Sequence, residues 1–123
     1  MSSVVSIFFQ TTGSAAEVSA TLQHALNCNF EVEEENDVTR HAAFVLGVRL
    51  VLIGNHGLVD DCGIRFSAFE YELDLHVDRA KIDGDIADVY HQSLGRYLFE
   101  LISKRLGWKS ALVFNLQQLI SIS

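Results

Sequence analysis

Proline is absent from all 123 residues. Turns must therefore come from Gly, Asn and Asp, and isomerisation at X–Pro bonds, the commonest slow step of folding, is missing. Cysteine is scarce. Cys28 and Cys62 stand far apart with no CxxC spacing, which reads as two small buried thiols rather than a disulfide or a metal pair. The longest apolar run, residues 42–53, is interrupted by Arg49 and is shorter than the roughly 20 residues that cross a bilayer. No membrane span is expected. The opening MSSVVSIFFQ has no basic n-region and no small-residue cleavage site, so it does not read as a signal peptide, and the cytoplasm is the expected compartment. Bases are also few: nine against sixteen acids give a net charge of -7. That balance argues against nucleic acid, because a phosphate backbone rewards clustered Lys and Arg, and it suits a basic protein partner.

Familiar catalytic and cofactor motifs are missing too. Gly47, Gly54, Gly57 and Gly63 make neither GxGxxG nor GxxxxGK[ST], and no GxSxG elbow or HExxH pair occurs, so no cofactor is expected. His56, Asp60, Asp61 and Cys62 share one segment and are all metal-ligating types, but their spacing matches no established site, and a solvated turn holds such residues anyway. Cys62 with a histidine as nucleophile and base has no sequence support beyond the residue types. Glu70, Glu72 and Asp74 repeat as a ladder along one strand face, which reads as a wet surface rather than a glycosidase acid pair. His24 and His91 fall on helices and read as surface positions.

The acids that are present are concentrated. Residues 31–37 hold Glu31, Glu33, Glu34, Glu35 and Asp37 with no base, and residues 60–74 add Asp60, Asp61, Glu70, Glu72 and Asp74, whereas the sign reverses from residue 89 onward. Solvated charge is the ordinary explanation of such runs. Their segregation from a basic helix end goes further, since a patch of one sign steers a basic protein into contact.

With 49% hydrophobic and 20% charged residues, one compact domain spanning residues 1–123 is expected. Val4, Val5, Ile7, Phe8 and Phe9 predict a first strand over 3–10. Ser14 and Glu17 form a capping box for a helix carrying Val18, Leu22 and Leu26 on one stripe. Phe30, Val32 and Glu34 alternate with Glu31, Glu33 and Glu35 in a short acidic edge strand. Residues 42–53 read as one central strand and 54–63 as a loop. In 64–77 the alternation changes phase, which predicts a β-bulge near Ala68 and Phe69 and leaves Glu70, Glu72 and Asp74 on the wet side. Asp85 and Asp88 are placed to cap a second helix whose stripe runs from Ile86 to Leu106, with Lys104 and Arg105 in its last turn and Gly107 to end it. Trp108 leads into a last strand to Leu116, and a less regular tail follows. The expectation is an α+β fold: one five-stranded, largely antiparallel sheet in the order β-α-β-β-β-α-β, with both helices on one face.

In size, acidity, the run EVEEEND and the lack of motifs, the whole chain resembles the immunity proteins of contact-dependent growth inhibition and related bacterial toxin systems. That resemblance implies a small, acidic, cytoplasmic α/β or α+β domain without an active site that binds a cognate toxin, often a nuclease with a basic active site, and blocks it. No signature residue is shared across those families, so the candidate contact residues come from charge alone: Glu31, Glu33, Glu34, Glu35, Asp37, Asp60, Asp61, Glu70, Glu72 and Asp74. A second reading is a dimeric chaperone for a secreted effector or another assembly subunit, with Phe99 widening the apolar stripe of the second helix into a dimer face. An enzyme with a site assembled from distant residues is the third, and the sequence leaves monomer and dimer open.

Overall fold

The computed structural model describes residues 4–35, 38–45, 47–54, 56–77 and 84–123. Seven strands form one sheet: β1 (Val5–Gln10), β2 (Glu31–Glu35), β3 (Val38–Val45), β4 (Val48–Gly54), β5 (Tyr71–Val77), β6 (Lys109–Phe114) and β7 (Gln118–Ile122). Their spatial order is β2-β3-β4-β5-β1-β6-β7, and every neighbouring pair is antiparallel. Among the described residues two α-helices join this sheet, α1 (Ala15–Leu26) and α2 (Gly84–Glu100).

The α+β class agrees with the sequence, but the expected five strands are wrong. The run 42–53 is a tight hairpin, with Val45 paired to Val48 and Gly47 at φ +80°, a left-handed conformation that glycine adopts without strain. The tail beyond Asn115 forms β7, which pairs with β6 through a register shift at Leu112 and Val113. Here Asn115 and Leu116 both take positive φ, so the chain reverses without glycine or proline. The expected bulge at Ala68 and Phe69 is replaced by a 3₁₀ turn, Phe66–Ala68, and β5 begins only at Tyr71. A single helical turn resets the side-chain phase as effectively as an extra strand residue.

α1 starts as expected. The Ser14 hydroxyl accepts from the Glu17 amide and the Glu17 carboxylate accepts from the Ser14 amide, and this bonding holds the Glu17 carboxyl below its usual range. Asn27 closes the helix in the left-handed conformation. In α2, Asp85 lies within the first turn rather than at the cap, and the residues before Gly84 lie outside the described residues. The helix passes into a π-helical turn, Leu101–Arg105, where the Leu106 amide donates to the Leu101 carbonyl at 3.1 Å.

Both helices cover the same face of the sheet. Val18 and Leu22 of α1, with Leu98, Leu101 and Ile102, join Ile7, Leu50, Leu52, Leu73, Leu75 and Leu112 in one buried cluster. Phe99 belongs to this core, so it does not widen a dimer face. α2 lies close against β1 at Gly95, where a Cβ would be 2.5 Å from Val5 Cγ1. His91 is not a surface position either. It is buried, and its Nε2 donates to the Leu75 carbonyl at 2.6 Å, tying α2 to β5. His24 is exposed. Cys28 is half-buried and Cys62 exposed, so only the former approaches the expected buried thiol.

Among the described residues the opposite face carries no α-helix. Part of it is roofed by the β4–β5 connection, whose Ile64, Phe66 and Phe69 pack on Phe8, Ala111 and Val113. His56 fastens this roof through both ring nitrogens. Its Nδ1 accepts from the Leu58 amide at 3.0 Å, so Nε2 carries the proton and donates to the Phe69 carbonyl at 2.7 Å. The ring edge also meets Phe8, with centroids 5.3 Å apart. Among the described residues no helix is long and apolar enough to cross a membrane.

Candidate functional site

On the helix-free face, cross-strand pairing sets Glu31 beside Ala42, Ala42 beside Val51, Val51 beside Asp74 and Asp74 beside Ser6. A parallel row sets Glu33 beside Arg40 and Ile53 beside Glu72. Two of the acidic segments, distant in sequence, therefore share one face, separated by the β3 and β4 arginines.

These acids are not equivalent. Glu31 is exposed. Glu33 is half-buried, and both its oxygens accept from Arg49 Nη2, at 2.6 and 2.8 Å. Glu34 is exposed and pairs with Thr39 on the other face. Glu35 closes β2, but its side chain, like all of Asp37, lies outside the described residues. Asp60 and Asp61 are exposed on the connection that roofs the helix-free face. Asp60 Oδ1 accepts from the Ser67 amide at 2.9 Å, and this bond, with lesser help from the Ser67 side chain and Arg65, holds its carboxyl below the usual range. Asp61 Oδ1 accepts from the Cys62 amide at 2.8 Å. Glu70 is half-buried, and its amide donates to Gln10.

Glu72 overturns the wet ladder. It is 5% exposed, packed on the face beside Phe8. Burial, then the hydrogen bond and negative charge of Asp74, push its carboxyl up to about 9, with Arg40 pulling weakly the other way. At neutral pH Glu72 is therefore a neutral acid, and its neighbour Asp74 accepts a 2.7 Å hydrogen bond from the buried Ser6 hydroxyl. Arg40 Nε is buried beside this group without a hydrogen-bond partner. Glu72 is thus held in the fold and offers no charge to a partner.

What the sequence reading missed is apolar. Phe44 on β3 is 77% exposed and Val32 on β2 is 62% exposed. β2 ends the sheet, and the helices lie over its other strands: α1 packs on β4, and α2 on β1, β5 and β6. The β2–β3 hairpin therefore projects as a flange with carboxylates and two large apolar groups in water. Asn29, Glu31, Glu33, Ala42, Ala43 and Phe44 line a cleft of about 260 Å³ on it. Among the described residues no three His, Cys, Asp or Glu side chains gather as metal ligands, and the side chains of His56, Asp60 and Asp61 are each engaged by nearby backbone groups.

No protein-family model matches the chain, and no curated protein or solved structure matches it.

Proposed function

We propose that this chain is an acidic, cytoplasmic protein-binding module that neutralises a cognate basic, nuclease-like toxin by covering its active cleft. The observation that carries this reading is the β2–β3 flange. On one face of this hairpin exposed Glu31 stands near exposed Phe44, and on the other exposed Glu34 stands beside exposed Val32; a large apolar side chain left in water next to an open carboxylate is the anatomy of a docking surface rather than of a merely solvated edge. The carboxylates steer a basic partner into register, and the exposed apolar side chain of the docked face supplies contact area once water is excluded. Inhibition is steric and needs no catalytic group on this chain. Asp60 and Asp61, on the other half of the molecule, extend the negative field without forming part of the flange.

The test is inhibition. The tagged chain, captured from a lysate of its own organism at low salt, retains a basic protein in stoichiometric amount. The purified chain abolishes that partner's nuclease activity at a one-to-one ratio, and the Glu31→Lys, Glu34→Lys double variant does not. A partner still inhibited in full by the double variant removes the flange from the mechanism, and a partner without toxic or nuclease activity removes the inhibitor reading.

One observation favours the dimeric-chaperone reading: Ile86, Val89 and Tyr97 are exposed along α2. A mass that doubles with concentration, and reverts on Tyr97→Ser, would move the assignment there.

A further inference from the structure

Phe44 occupies a position where an aromatic ring has no structural work to do. It lies on the helix-free face of β3 beside Arg49, in phase with Ala42, and most of its surface is in water. The residue between it and Glu31 is small: Ala42 pairs directly with Glu31 and is itself buried, so the sheet surface dips there. At this dip lies the cleft of about 260 Å³ lined by Asn29, Glu31, Glu33, Ala42, Ala43 and Phe44. Its size suits one side chain rather than a small-molecule ligand of ordinary dimensions.

The walls differ in what they have left to offer. Glu33 is already bound by Arg49 through both oxygens, so a guanidinium is accepted on this face by the chain's own design. Glu31 has no ion pair or side-chain hydrogen bond among the described residues, and it is exposed. An aromatic face and an open carboxylate, set on either side of an alanine floor, meet the two requirements of a guanidinium. Its plane stacks on an aromatic ring, and its edge donates two parallel hydrogen bonds to a carboxylate. An ammonium matches the charge but neither the plane nor the fork.

We infer that the Asn29–Phe44 cleft seats one arginine side chain of the basic partner, with the guanidinium stacked on Phe44 and paired to Glu31. This deepens the docking reading and rests on it. Charge selects the partner at long range, and the cleft selects arginine over lysine at contact. The flange then has a single anchoring position, Phe44, with the remaining carboxylates acting as a rim.

The experiment uses the full chain with hexa-arginine and hexa-lysine peptides at low salt, followed by titration calorimetry and by backbone amide shifts. Wild-type protein is expected to bind hexa-arginine about tenfold more tightly than hexa-lysine, with the largest shifts at Asn29, Glu31 and Phe44. Phe44→Leu keeps an exposed apolar side chain without the ring and is expected to bring the two affinities together. Glu31→Gln is expected to weaken hexa-arginine about fivefold. A hexa-citrulline peptide, neutral and similar in shape, is expected not to bind. Equal binding of hexa-arginine by wild type and Phe44→Leu overturns the cleft and leaves acidic docking standing. No binding of either cationic peptide overturns both. Thermal unfolding of each variant at the wild-type temperature shows that the fold is retained, as expected for exposed positions.

Discussion

Replacing Glu72 by glutamine should remove a proton from the folding reaction. In the folded chain the Glu72 carboxyl titrates at about 9, against 4.5 for the ordinary group, so between those values folding takes up a proton from solution. The sign follows from the direction of the shift. A raised carboxyl contributes its stability in full below pH 4.5, and that contribution is lost as pH rises toward about 9. Each unit costs about 1.4 kcal/mol, so at pH 7 the penalty is on the order of 3 kcal/mol. Glutamine has nearly the same shape, and its amide can donate to Asp74 as the protonated acid does, with no proton to capture. Glu72→Gln is therefore expected to match wild type near pH 4.5 and to exceed it by about 3 kcal/mol at pH 7, with the gap widening by about 1.4 kcal/mol per unit until pH 9. Urea unfolding at pH 4.5, 7 and 8.5, with equal m-values, measures this directly. A gap that stays constant across that range, or a variant less stable than wild type at pH 7, would refute a protonated Glu72 in the folded state.

Gly95→Ala is expected to destabilise the protein by about 1 kcal/mol in urea unfolding, because overpacking against Val5 outweighs the helix-propensity gain of roughly 1 kcal/mol. Unchanged or increased stability would mean that α2 and β1 are not in contact there. His56→Ala removes the acceptor for Leu58, the donor to Phe69 and an edge contact with Phe8, and is expected to cost about 2 to 3 kcal/mol. Hydrogen exchange should accelerate first over residues 56–70, and uniform acceleration across the sheet would show that the roof has no separate latch.

Much of the frame was legible because it rests on local signals. Ser14 and Glu17 placed the start of α1, the apolar stripe placed α2, and Gly107, at φ +70°, ends the second helical segment as expected. Errors arose where phase was inherited across an unseen turn. In a single strand over 42–53, Phe44 would share a face with Val48, Leu50 and Leu52 and belong to the core. The hairpin pairs Val45 with Val48, so even positions of β3 face away from the helices while even positions of β4 face them. Phe44 was hidden by that flip, and a lone Gly47 in an apolar run was its only sign. Glu72 failed for a different reason. Alternation on β5 correctly separated it from Leu73, but the segment just before β5 folds back onto Phe8, the cross-strand neighbour of Glu72, and alternation within a strand does not record what covers its outer face.

β1 lies in the interior of the sheet, between β5 and β6, although it is the earliest strand in the chain. Its partners are made much later. At about 5 to 20 residues per second of synthesis, roughly 5 to 20 s separate the emergence of Val5 from that of Lys109. The strands from β2 to β5 form a meander from neighbouring segments during that interval, while Val5, Ile7, Phe8 and Phe9 have only half their eventual surroundings. A nascent chain in this condition presents two unsatisfied sheet edges and several large apolar side chains to the crowded space around the ribosome. The period of greatest aggregation hazard is therefore set by the position of the central strand in the chain, and it ends only when β6 arrives to close it.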